Sequence, residues 1–533
     1  MKRIYFFVFL ILSMKLCSQQ QVKIDWPSLA DSPWPVLRGN MQWTGRSEYV
    51  GPKTANVIWK ADLPLGIYYG PVIGYNDILY FGTLAIDSDN RNQFYAYYPN
   101  GTEFWKYETN SWWPNELSPV AIKDGTVYML SNILDIYALT YDGTLKWVVR
   151  VGESHGQQLS IDKAGNLYIP VKDTLKIFSP DGQILLEKRF KQISSDISFS
   201  IDGNTLYFKS GNHRDATTGY SYLNATDLQG NILWSRKFFQ SNYAAPAVDN
   251  QGNIYIYGDD TLDFKKIYLF SFKPDGEVRW KYLINGYLEH SAPTIDSEGN
   301  IIFYCMKGTI SLNYIVSLNY NGNVNWEYPL EHQEDDPFFA AVDHGLVCDA
   351  EGNIYFGSAS GSYFYALNKA GELMWKLPLN GYEYYSSPAI GSDGTLYIGT
   401  SRSTFFQHHK ENLIAVRDKT VSVEDKSVNY DFILYQNYPN PFNPTTQIKY
   451  AVGSKQNAES GKQFVTLKVY DLLGREIATL VNEPKDAGEY EIEFNADKYG
   501  LSSGVYLYRL VVSGANPLTA GSFTSTKKFV YLR

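Results

Sequence analysis

Residues 387–400 read SPAIGSDGTLYIGT, and residues 245–258 read APAVDNQGNIYIYG. Each opens on a small residue and Pro, passes through two short apolar residues, turns on Gly and resumes with Tyr three residues later. A third stretch, YALNKAGELMWKL at 365–377, adds a second Gly turn with Trp four residues beyond it. Short runs rich in aromatic and β-branched residues, bounded by Gly, Asp and Asn, read as hairpins of β-strands.

The pattern repeats outward from these copies. Its tyrosine position falls at Tyr80, Tyr128, Tyr168, Tyr207, Tyr255, Ile302, Tyr355 and Tyr397. The second turn keeps one interval throughout: Gly101–Trp105, Gly143–Trp147, Gly182–Leu186, Gly230–Trp234, Gly276–Trp280, Gly322–Trp326 and Gly371–Trp375. The repeat length is that of a four-stranded propeller blade, about 40–50 residues. The last copy, ending NLIAVRDK at 412–419, lacks its Trp strand, whereas ANVIWKADLP at 55–64 places Trp59 ahead of the first copy. Pairing the two ends in one blade would remove the open sheet edge. The expected fold is all-β: an eight-bladed β-propeller closed by N- and C-terminal strands, followed by a small Ig-like β-sandwich. In this reading Trp59, Trp105, Trp147, Trp234, Trp280, Trp326 and Trp375 dock blade on blade.

Composition agrees with a folded, turn-rich β protein. Of 533 residues 16% are aromatic and 19% charged, the reverse of a disordered chain. The net charge of −9 argues against nucleic acid as a partner. Residues 1–18 read as a signal peptide, with Lys2-Arg3 before the apolar run Ile4 to Leu12. That run is too short to span a bilayer, so no transmembrane segment is expected after its removal. Only Cys305 and Cys348 then remain, either as packed thiols or as a disulfide. The expected organisation is a signal peptide at 1–18, a leader packing on the propeller at 19–54, the propeller at 55–419, a linker at 420–432 and the tail module at 433–533.

The repeats resemble the quinoprotein (PQQ) dehydrogenase-like propeller family, which includes the periplasmic scaffold propeller of outer-membrane assembly. The resemblance rests on Ala225, Asp227, Gly230 and Trp234, on Ala138-Gly143-Trp147 and Ala366-Gly371-Trp375, and on the leader WPVLRGNMQWTGR at 34–46. The copies run one residue shorter between Ala and Trp than the dehydrogenase motif. The tail, with YPNPFNPTT at 438–446, VYDLLGRE at 469–476 and GVYLYRL at 504–510, resembles the C-terminal sorting domain of type IX secretion substrates. That resemblance implies export to the bacterial surface or the medium, with the type IX machinery as partner.

Chemistry is sparse. The chain has no GxSxG, HExxH, P-loop or GxGxxG motif. The adjacent His408-His409 would face opposite sides of a strand and make a poor chelate. The family's quinone enzymes use a vicinal disulfide, which this chain cannot form. No catalytic or metal-ligating residue is therefore expected, and the reading leans away from an enzyme without excluding one. Glu331, Glu334, Asp335 and Asp336 offer oxygen ligands for Ca²⁺, although a solvated acidic loop is the preferred reading. The Gly turns gather at one end of the ring, so the longer loops gather at the other. Those loops carry the candidate ligand-binding aromatics Tyr69, Trp112, Trp113, Tyr243, Tyr287, Phe338, Tyr384 and Tyr385. The expected function is a secreted or cell-surface, non-catalytic binding module for a carbohydrate, peptide or protein. The alternative is an extracellular enzyme with a funnel site for polysaccharide or alcohol.

Overall fold

The computed structural model describes residues 19–63, 66–67, 69–84, 93–109, 119–131, 135–152, 158–211, 220–238, 244–259, 266–284, 292–307, 312–330, 345–357, 363–379, 387–400, 412–419, 433–452, 463–486, 488–513 and 523–533. The chain divides into two compact units, Met1–Lys419 and Thr420–Arg533.

Among the described residues, the first unit forms eight antiparallel sheets, seven of four strands and one of five. Apart from the sheet that joins the chain ends and the five-stranded sheet, where Gly66–Ile67 and Val72–Ile73 both pair with Leu79–Leu84, each takes its strands in chain order. In the fifth sheet these are Ala247–Val248, Ile254–Gly258, Ile267–Phe272 and Val278–Ile284. The innermost strand has two residues and is wholly buried, while the outermost alternates exposed and half-buried positions. That gradient is a β-propeller blade read from axis to rim.

The Gly-to-Trp interval has a local cause. Gly101, Gly143, Gly182, Gly230, Gly276, Gly322 and Gly371 all have φ between +73° and +86°, where a Cβ is strained. Each ends a hairpin turn, and the pairing slips by one residue directly after it, as between Ser271 and Phe272. A turn followed by a left-handed Gly and a bulge is a standard three-residue hairpin connection. The bulge places Trp opposite the small residue of the third strand, Trp280 against Ser271 and Trp375 against Ala366.

Each Trp then reaches the following sheet. Trp59, Trp105, Trp147, Trp234, Trp280 and Trp326 donate Nε1–H to the carbonyls of Pro99, Tyr141, Pro180, Pro274, Tyr320 and Lys369, at 2.8–3.2 Å. Every one of those carbonyls lies two residues before a turn Gly. A Cβ on that Gly would come within 2.4–3.0 Å of the Trp ring, so Gly is also required by packing. Leu186 breaks the series, and Lys188 and Phe190 cover Gly230 in its place.

Closure uses both chain ends. Val57–Ala61 pairs with Leu413–Val416, completing the sheet that holds Tyr397. Pro52 of the leader accepts Trp375 Nε1–H at 2.9 Å, standing where a turn residue stands elsewhere. Asp418 accepts from Lys53 N, Thr54 N and Thr54 Oγ1 at 2.7–3.0 Å, a turn rebuilt from two separate segments.

Along the axis, the leader supplies what the two-residue inner strands lack. Ile73, Ala121, Phe199, Val248, Ile295 and Cys348 donate backbone N–H to the carbonyls of Trp34, Pro35, Met41, Gln42, Thr44 and Gly45, at 2.7–3.0 Å. Without it these buried donors would be orphaned. Arg38, fully buried, donates to Pro293 O at 2.9 Å and Thr294 Oγ1 at 2.8 Å.

The second unit has a three-stranded sheet and a four-stranded sheet. Ile448, Tyr450 and Phe494 from the first share one core with Leu467, Tyr508 and Phe529 from the second.

Candidate functional site

Apart from Arg38, the buried charges separate into two groups. Asp162, Asp249, Asp296 and Asp349 occupy the same turn position in four sheets. Asp249 is typical: Oδ1 accepts from Gln251 N and Asn253 N, and Oδ2 from Asn253 Nδ2 and Tyr255 Oη, all at 2.8–2.9 Å. These carboxylates are consumed by structure. An Asp three residues before the turn Gly, followed by Asn just after it, is the sequence signal for this module, and Gly alone was too coarse to reveal it.

Asp196, Lys209 and Asp259 are buried at the opposite end, where no turn uses them. Asp196 lies two residues before the inner strand of the fourth sheet, Ser198–Phe199, and Lys209 lies towards the loop end of Leu206–Gly211. Asp196 Oδ1 accepts from Gln158 N at 2.5 Å. Ser195 Oγ accepts from Lys209 N and donates to Asp196 O, at 2.8 and 2.9 Å. The hydroxyls of Ser194 and Ser221 are buried without a protein partner.

Burial pushes the Asp196 carboxyl up to about 7, against the Gln158 N–H and the Lys209 charge, which pull it down. Burial also brings the Lys209 ammonium down to about 7, while Asp196 draws it back up. Burial thus disfavours the charged form of both groups, and each partly restores the charge of the other.

Of the aromatic candidates, Tyr69 corrects the expectation of exposure. It is 7% exposed, in the same apolar cluster as Val36 and Leu37 of the leader, because it sits two residues before a Pro-led inner strand. Trp112, Trp113, Tyr243, Tyr287, Phe338, Tyr384 and Tyr385 lie outside the described residues, as do Glu331, Glu334, Asp335 and Asp336. Cys305 and Cys348 are both buried and unbridged, which resolves their pairing in favour of packed thiols. They cannot supply the vicinal disulfide of a quinone enzyme. Among the described residues no group of three or more His, Cys, Asp or Glu side chains could hold a metal ion. No described helix is long and apolar enough to cross a membrane.

In the second unit, the YPNPFNPTT segment is locked into the sandwich. Thr446 Oγ1 donates to Pro439 O at 2.7 Å, Phe442 N donates to Val530 O at 3.1 Å, and the Phe442 ring lies 5.2 Å from that of Phe529. Residues 436–528 match the family described as secretion system C-terminal sorting domain. The C-terminal module is a type IX secretion sorting domain. It directs the chain to the cell surface or the extracellular space.

Ahead of the sorting domain, residues 171–420 match the family described as outer membrane protein assembly factor BamB, and the propeller carries this type of repeat. Among solved structures, the chain is similar to BamB from Moraxella catarrhalis at 13% identity and a TM-score of 0.45, covering 68% of this chain and 99% of that one. It is similar to the Dos1 propeller at 11% identity and a TM-score of 0.46, covering 69% and 97%. The C-terminal WD40 domain of Sif2 is 10% identical with a TM-score of 0.46, covering 69% and 99%. No curated protein sequence matches the chain.

Proposed function

We propose that this is a secreted or cell-surface propeller that binds a carbohydrate, peptide or protein partner at its loop end without catalysis. The observation that carries the reading is the division of the buried charges. At the turn end every buried Asp of the repeated module is satisfied within its own turn, whereas at the loop end Asp196, Lys209, Ser194 and Ser221 serve no turn. The Ser194 and Ser221 hydroxyls, buried without a protein partner, are costly, and a polar group of a ligand would offset that cost. The loop aromatics Trp112, Trp113, Tyr243, Tyr287, Phe338, Tyr384 and Tyr385 are the residue types that stack on such a ligand.

A glycan array and a peptide pull-down on the secreted chain would identify the ligand. The affinity should then fall at least about tenfold for Asp196→Asn and for Trp112→Ala with Trp113→Ala. Unchanged affinity in both variants would remove the loop end from consideration. One observation favours the enzymatic alternative: a carboxyl titrating near 7 suits a general acid. Hydrolysis or oxidation of polysaccharides or alcohols that Asp196→Asn abolishes would establish it.

A further inference from the structure

The sorting domain contains a turn built like those of the propeller, with different residues at its apex. Gly474 N donates to Asp471 O and Asp471 N to Arg475 O, both at 3.0 Å, the same pair of bonds that closes Asp227–Asn231. Asp471 Oδ1 also accepts from Leu473 N and Arg475 N at 2.9 Å, which fixes the loop from inside. In the propeller the residue just before the turn Gly is Asn100, Asp142, Asp181, Gln229, Asp275, Asn321 or Ala370. Here the two apex residues are Leu472 and Leu473, exposed by 67% and 81%. Each propeller turn that follows a docking Trp also has its apex carbonyl covered by that Trp, and a Cβ on Gly474 would meet nothing within 4 Å.

A hairpin tip bearing two exposed leucines is expensive in water and serves no fold, because Asp471 and Gly474 already make the turn. The charges at its base are neutralised in place. Arg475 Nε lies 2.6 Å from Asp471 Oδ2, and Lys468 Nζ lies 2.8 Å from Glu476 Oε2. An anionic lipid surface selects free cationic groups, which this tip does not offer. Its charge balance complements an uncharged, apolar, concave surface.

We propose that Leu472 and Leu473 form the prong by which the export machinery captures the tail, seated in an apolar socket on a protein component of that machinery. This rests on the sorting-domain reading and names the contact through which it acts. The rigid turn orders the prong before binding, so little conformational freedom is lost on capture.

The test uses the full chain in its native host. Leu472→Ser with Leu473→Ser should weaken capture by roughly a hundredfold, with folded protein accumulating in the periplasm. Near-ultraviolet circular dichroism checks that the tail stays folded, and Leu472→Met with Leu473→Met should restore export. Export of the folded double-serine variant at the unaltered rate overturns the proposal. A photo-crosslinker at position 473 should join the chain to an identified component of the export machinery. Flotation of the unaltered chain, but not the double-serine variant, with phosphatidylethanolamine–phosphatidylglycerol vesicles overturns the protein socket in favour of lipid. A chain ending at Lys419 that is still exported sinks the sorting reading itself, a result distinct from failure of the prong.

Discussion

At the scale of the residue, the same amino acids do different work according to what surrounds them. Trp280 stacks on Gly322, meets Tyr255 at a ring separation of 5.8 Å and donates to Tyr320 O. Its truncation empties a blade-to-blade contact, so Trp280→Ala should cost about 3 kcal/mol in urea unfolding, against under about 0.5 kcal/mol for the exposed Val278→Thr. Asp196 and Lys209 make a pH prediction. The raised carboxyl costs stability as pH rises from its ordinary value of 3.8 towards about 7. The lowered ammonium costs stability as pH falls from its ordinary value of 10.5 towards about 7. The two costs overlap most near neutrality. Thermal unfolding between pH 4 and pH 10 should therefore show Asp196→Asn with Lys209→Met raising Tm most near pH 7 and less at either extreme.

At the scale of the element, the inner strands and the closing strand depend on chain far away in sequence. A strand of two residues cannot satisfy its own edge, and the leader meets six of these edges in turn. The closing sheet is held at its turn by three hydrogen bonds to Asp418 instead of by a peptide link. Asp418→Ala should cost about 1–2 kcal/mol, the range for losing a capping side chain. Hydrogen exchange should localise the loss to Val57–Ala61 and Leu413–Val416, and loss spread evenly over the propeller would contradict this account.

At the scale of the whole molecule, address and body are separate units with separate cores. A chain ending at Lys419 should keep the propeller's unfolding temperature and remain in the periplasm. Differential scanning calorimetry and fractionation check the two halves of that expectation independently. The acidic balance of the chain and the apolar prong of the tail then belong to different tasks, solubility for one and recognition for the other.

The repeat was legible because its determinants are local. A left-handed Gly at a fixed distance from Trp encodes turn, bulge and docking residue in five positions, and the split of Trp59 from NLIAVRDK foreshadowed closure. The tail's motifs were legible for the same reason. The candidate site was not. Asp196, Lys209 and Gln158 carry no spacing that sets them apart, and Gln158 reaches Asp196 only because neighbouring sheets pack side by side. Tyr69 read as a loop aromatic for a ligand because its neighbours look like loop, whereas the fold buries it in the cluster that also holds Val36 and Leu37. The sequence by itself determined the blades, their order and the address, since hairpin geometry and motif depend on neighbours along the chain. The tertiary structure alone decided which charges are buried and which leucines stay in water, since burial depends on neighbours across it.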